Sequence, residues 1–125
     1  MTEKRIFVYS GSFNPSGTHH RKVAEAVRAT MRPADRMYVI PCGPRPDKLS
    51  TNDIQPGHRA YMADVTFAGV GSNVVVDNFD LESPVFTRTW ELIQRHETEG
   101  KVWYVVGPEL LYPDKNKRIC TIREC

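Results

Sequence analysis

The chain has 125 residues, 40% hydrophobic and 26% charged, a balance that supports one packed domain and excludes a disordered polymer. With 17 Lys and Arg against 15 Asp and Glu the formal charge is +2, too small for a nucleic-acid coat, so any anion must be held by a local site. Cys42, Cys120 and Cys125 show neither paired nor metal-ligand spacing, and no apolar run reaches the length of a signal-peptide core or a membrane span, so a reduced, cytoplasmic setting is expected.

The first element is a short apolar strand, Arg5 to Ser10, bounded by Gly11. From His20, the residues Val23, Ala24, Val27, Thr30 and Met31 recur at helical spacing, and Pro33 ends that helix. Arg36 to Pro41 reads as a second strand, followed by a loop rich in Pro and Gly through Gly57 that is long enough to be a binding loop. A second helix runs from His58 to Gly69, and the β-branched run from Asn73 to Phe79 is a third strand. Phe86, Trp90 and Ile93 would form the buried face of a third helix, closed by Gly100, and Lys101 to Gly107 is a fourth strand.

The order β-α-β-α-β-α-β predicts an α/β fold, a Rossmann-like doubly wound parallel sheet in a single domain over residues 1–111. Residues 112–125 read as an irregular basic tail. In such a sheet, ligands sit beyond the carboxyl ends of the strands, near the point where strand order reverses. That rule directs attention to Gly11 through His20, Cys42 through Lys48, Asp77 through Thr87, and Gly107 through Glu109. Gly11 permits a sharp turn, Ser12 and Phe13 offer main-chain N–H groups, and the start of the helix adds a positive dipole end. An imidazole in the first helical turn is a further donor, able to become cationic as negative charge builds. Neither G-x-x-x-x-G-K-[ST] nor G-x-G-x-x-G occurs, so from the residues alone a polyphosphate cradle and a plain loop with a capping histidine stand even. Among the remaining candidates, His58 and His96 read as surface residues, Trp90 and Trp103 as core. A zinc site from His19, His20 and a cysteine lacks a ligand quartet, so no metal ligand is assigned.

The stretch GSFNPSGTHH resembles the signature of the HIGH-type nucleotidyltransferase superfamily, a G-[GST]-F-[DN]-P turn leading to H-x-G-H or T-x-G-H. Within it the chain is most similar to the bacterial nicotinate mononucleotide adenylyltransferase family. PCGPRPDK resembles that family's Pro-rich loop ending in a phosphate-facing Lys, and GHRAYM its R-x-x-M helix, with Arg59 and Met62. SPVFTRTWELI and WYVVGPELL resemble its S-Y-T-x-D-T-L segment and its strand ending in G-A-D-x-L. The pattern departs at Gly17, where the first histidine of H-x-G-H would stand, so that imidazole is missing unless His19 folds back to replace it. It departs also at Glu109 in place of Asp, at Phe86 in place of Tyr, and at Arg88 in place of Asp.

The resemblance implies adenylyl transfer from ATP to nicotinate mononucleotide, a step in NAD biosynthesis, with ATP as substrate and Mg²⁺ bridging its phosphates. It implies that His20, helped by His19, stabilises phosphate charge and that Gly11, Ser12, Phe13, Gly107 and Glu109 bind the nucleotide. Lys48, Thr87 and Phe86 would contact the mononucleotide. It also implies that the domain lacks the family's C-terminal phosphate clamp, so impaired activity and self-association into a homo-oligomer are expected. Small molecules are the expected partners, with neither nucleic acid nor membrane among them. The alternatives are another enzyme of the superfamily, a phosphopantetheine adenylyltransferase or a cytidylyltransferase, or a non-catalytic nucleotide-binding module.

Overall fold

The computed structural model describes residues 4–11, 13, 16–42, 56–82, 87 and 89–106; the candidates Ser12, Lys48, Phe86, Gly107 and Glu109, and the tail 112–125, lie outside these. The elements follow in the expected order: β1 (Arg5–Gly11), α1 (Thr18–Thr30), β2 (Arg36–Pro41), α2 (Pro56–Phe67), β3 (Val74–Val76), α3 (Thr89–His96) and β4 (Lys101–Tyr104). The third strand is shorter than its β-branched run suggested, because Asp77 Oδ1 accepts from the Phe79 N–H and turns the chain into a short 3₁₀ segment, Phe79–Glu82. All pairings are parallel, and the strands lie in the order β3-β2-β1-β4.

Period-two alternation in β1 and β2 divides the core between the two faces of the sheet. Phe7, Met37 and Val39 pack with Ala24 of α1 and with Ala63 and Phe67 of α2. Ile6, Val8 and Ile40 turn the other way, onto Leu92 of α3. Helices therefore cover both faces, and the fold is the doubly wound Rossmann-like sheet expected. Its first crossover returns through β2 to β3 on one side of β1, its last to β4 on the other, so strand order reverses at β1.

Three expectations about individual side chains are corrected. The face of α3 that enters the core carries Leu92 and His96, whereas Trp90 is 42% exposed and Ile93 only half-buried. His96, expected at the surface, is buried and stacked on Tyr38 with ring centroids 4.3 Å apart. Glu99 accepts from the Tyr38 hydroxyl at 2.9 Å and meets His96 Nδ1 at 3.2 Å, which locks the helix in that rotation. Burial pushes the Glu99 carboxyl up, but the Tyr38 and His96 hydrogen bonds outweigh it and hold it below the ordinary range. Trp103 is 46% exposed because its side of β4 lies at the edge of the described sheet, beside Phe7 and the side chains of Arg5 and Lys101. His58 is exposed, as expected.

At the amino end of the strands, Asp35 is buried and accepts from Arg5 Nε, Arg5 Nη2 and the backbone N–H groups of Arg5 and Arg32, at 2.8–3.0 Å. The nearby Gly100 owes its identity to a close approach. A Cβ there would lie 2.5 Å from the Lys4 carbonyl oxygen, which accepts from the Lys101 N–H at 3.0 Å. Gly100→Ala must push β4 away from β1, and it is expected to destabilise the fold by about 1–3 kcal/mol, read as a lower urea midpoint with an unchanged slope.

Candidate active site

The carboxyl ends of the strands are drawn level by backbone bonds: Cys42 N–H to Gly11 O at 2.8 Å, Asp77 N–H to Val39 O at 2.8 Å, and Val105 N–H to Val8 O at 2.9 Å. Ser10 and Tyr104 join hydroxyl to hydroxyl across β1 and β4. Arg59, fully buried on α2, donates through Nη2 to the Cys42 carbonyl at 2.7 Å and so fixes the exit of β2. The R-x-x-M arginine thus acts, among the described residues, on the backbone beside the turn.

Beyond Gly11 the chain makes its one described non-glycine excursion into the left-handed region, at Phe13 with φ 41°. That conformation costs a residue with a Cβ roughly 1–2 kcal/mol, and the buried ring offsets it. The ring lies over Gly11, where a Cβ would meet Phe13 Cζ at 3.4 Å. It also packs edge-to-face against Tyr9, Phe67 and His20, at centroid distances of 5.2, 5.5 and 4.9 Å.

Helix α1 begins two residues earlier than its periodicity suggested, which places both histidines in its first turn. Gly17 is the cap: its carbonyl accepts from the N–H groups of His20 and Arg21 at 3.0 and 3.2 Å. His20 reaches back, and its Nδ1 accepts from the Gly17 N–H at 3.0 Å, as the Glu of a capping box would. An accepting Nδ1 is unprotonated, so the proton of the neutral ring sits on Nε2 and is available as a donor. Burial, and secondly the adjacent His19, push the His20 pKa below the ordinary histidine value. The downward shift favours the neutral ring, the form that the bond from the Gly17 N–H to Nδ1 also requires.

His19 does fold back. A Cβ at position 17 would lie 3.4 Å from His19 Cε1 and Nδ1, so that imidazole fills the space beside the missing side chain, with its centroid 3.8 Å from that of His20. The structure thus brings together Gly11, Phe13, His19 and His20. Thr87 is engaged elsewhere: its N–H and its hydroxyl both donate to the buried Asp80 Oδ1, at 2.8 and 2.6 Å. Among the described residues no group of three His, Cys, Asp or Glu is placed to hold a metal ion, and no helix is long and apolar enough to cross a membrane.

Several contributors were not visible in the sequence. Tyr9 and Phe67 complete the aromatic cluster around Phe13, and Phe67 carries only the signal of an apolar position at the end of a helical pattern. Arg21 caps α2 by donating through Nη1 to the Thr66 and Ala68 carbonyls at 2.9 and 2.6 Å, and Ser16 meets Thr66 hydroxyl to hydroxyl at 3.0 Å. All three bonds join segments far apart in sequence, and no local pattern announces them.

No family model matches the chain. Two relatives, from Roseiflexus sp. (strain RS-1) and Staphylococcus haemolyticus (strain JCSC1435), carry the name probable nicotinate-nucleotide adenylyltransferase. They are 27% identical over 113 residues and 25% identical over 112, covering 89% and 87% of this chain but 56% and 57% of their own lengths. A third of that name, from Albidiferax ferrireducens, is 37% identical over 79 residues, which is 63% of this chain and 38% of the relative. The chain spans about half the length of the first two. Among solved structures, Plasmodium falciparum nicotinic acid mononucleotide adenylyltransferase complexed with NaAD superposes with a TM-score of 0.58 at 23% identity, over 81% of this chain and 49% of that one, a likeness of fold. The resemblance carried by GSFNPSGTHH is borne out: over most of its length the chain is similar in sequence to nicotinate-nucleotide adenylyltransferases, and it shares their Rossmann-like fold.

Proposed function

We propose that the turn from Gly11 to His20 holds the phosphates of ATP, and that the protein transfers the adenylyl group to nicotinate mononucleotide, giving a dinucleotide and pyrophosphate. The observation that carries this reading is His20 at a helix start, its Nδ1 accepting from the Gly17 N–H and its Nε2 left as a donor. In this reaction the phosphate oxygen of the mononucleotide attacks the α-phosphorus of ATP. The bond from that phosphorus to the bridging oxygen breaks, and pyrophosphate leaves. No covalent enzyme intermediate is needed, so the protein's part is to position two phosphates and stabilise charge.

His20 would donate to the α- and β-phosphates with His19 beside it, and Gly11, Ser12 and Phe13 would offer backbone. Gly107 and Glu109 would border the adenosine ribose, with Phe86 and Thr87 beside the pyridine ring. Since the Thr87 hydroxyl proton is given to Asp80, Thr87 would contribute shape or an accepting oxygen rather than a donor. Mg²⁺ would arrive with ATP, ligated by its phosphates and water. The test is product formation from ATP and Mg²⁺ with a panel of acceptors. Dinucleotide from nicotinate mononucleotide supports the reading. Exclusive turnover of phosphopantetheine, use of CTP, or ATP binding without turnover of any acceptor overturns it in favour of a sibling enzyme or a binding module.

Lys48 lies in the loop after β2, whereas the ATP turn follows β1. Lys48→Ala is therefore expected to raise KM for the mononucleotide about tenfold or more, the loss of one charge-assisted hydrogen bond, and to leave KM for ATP nearly unchanged. Equal effects on both constants would show that the loops are assigned to the wrong ligands.

A further inference from the structure

We infer that Phe67, at the end of α2, is a positioning residue for His20, acting through the ring of Phe13. The inference deepens the proposed reaction, since it concerns how the group that would meet the ATP phosphates is held.

Phe13 lies in contact with both Phe67 and His20. Its backbone is left-handed, so the residue keeps that shape only while its side chain is packed in one place. Phe67 sets that place. It is buried, its ring meets Phe13 edge-on at 5.5 Å and 74°, and it also meets Tyr9 at 6.2 Å and 82°. Phe13 in turn meets the His20 imidazole edge-to-face at 4.9 Å and 84°, and His19 lies 3.8 Å from the same imidazole. The last turn of α2 cannot drift from the first turn of α1, because Arg21 binds the Thr66 and Ala68 carbonyls and Ser16 binds Thr66. Residues 66–68 and 16–21 therefore move as one body, with the rings of Phe67 and Phe13 packed edge-on to each other. This body keeps the imidazole in register with the Gly17 N–H, and its apolar wall contributes the burial that keeps the ring neutral.

The test is NMR of the whole 125-residue chain, which needs no substrate. The exchange rate of the Gly17 amide reads the bond to Nδ1, the Ala24 amide in the middle of α1 is the internal reference, and the His20 titration midpoint reads its surroundings. An edge-on aromatic pair is worth roughly 0.5–1.5 kcal/mol, so in Phe67→Leu the Gly17 amide should exchange about 2- to 12-fold faster relative to Ala24. The His20 midpoint should rise toward the ordinary histidine value. Phe67→Tyr, which keeps the ring, should restore both. Should Phe67→Leu fail to fold, Tyr9→Leu removes the other ring packed on Phe13 and is read in the same way. A folded leucine variant with unchanged ratio and midpoint overturns the inference, as do equal losses in the leucine and tyrosine variants. A failure of adenylyl transfer would appear only in the product assay, so the two claims fall separately.

Discussion

His20→Ala is expected to lower adenylyl transfer by about 10²–10³-fold, the usual cost of removing one preorganised donor, while changing the affinity for ATP little. The split between turnover and binding follows from the site's construction. Gly11, Phe13 and the helix start present backbone groups that survive the substitution, so the ground-state complex loses one contact among several. What vanishes is a donor fixed before substrate arrives, by the Gly17 bond on one nitrogen and by the Phe13 ring packed edge-to-face against the imidazole. Such a group counts most where charge increases, in the transition state. His19→Ala should cost less, since its imidazole lies against His20 at a 41° tilt and holds no described hydrogen bond. Because burial and His19 push the His20 pKa downward, any His20 ionisation in the rate profile should fall on the acid side of the ordinary histidine value. Turnover of the alanine variant equal to that of the unchanged chain would remove His20 from the mechanism.

Asp35→Ala should cost stability rather than chemistry, by about 3 kcal/mol or more. The carboxylate is buried against four close donors, and removing it leaves the Arg5 guanidinium, 21% exposed, without its counter-charge. That partial exposure lets Arg5 recover some hydration, which places the loss toward the lower end of the range for broken buried pairs. Urea unfolding measures it directly. The same residue sets a pH dependence. Burial alone would raise the Asp35 pKa, but the hydrogen bonds from Arg32 and Arg5 outweigh it and hold the carboxyl far below the usual range. A folded-state value below the unfolded one gives stability that is complete above the unfolded value near 3.9 and is lost as pH falls through the folded one. Glu99 is lowered in the same sense, so its contribution fades in the same direction. The unchanged chain should therefore lose stability in acid, and Asp35→Ala should show a shallower acid slope.

The sequence made the frame legible because alternation and helical spacing are local signals. β2 was found residue for residue, and Gly11, Phe13, His19 and His20 were marked by lying after β1. Rotation of α3 was not legible: Trp90, Leu92 and Ile93 are all apolar, and the choice of Leu92 was made by His96 stacking on a Tyr from a distant strand. A histidine flanked by Arg and Glu looks exposed until that ring and Glu99 are seen to receive it. The tautomer of His20 depended likewise on a bond to a backbone N–H that its residue type does not imply. Phe67 was invisible as a site residue, because its partner Phe13 is reached only through folding.

The pairing of the first described strand with the last has a consequence for how the protein comes into being. β1, α1 and β2 are near neighbours in the chain, so during synthesis they can associate once residue 41 has cleared the ribosome, at a small loop-closure cost. β4 pairs with β1 only after everything between them has been made. Until then the far flank of β1 presents open N–H and C=O groups, and the hydroxyl contact between Ser10 and Tyr104 does not exist. The histidine turn is thus assembled early, and the wall beside it arrives late. A nascent chain stalled before residue 101 would carry a formed histidine turn next to an unprotected strand edge, the state in which a chaperone or a second copy would find it.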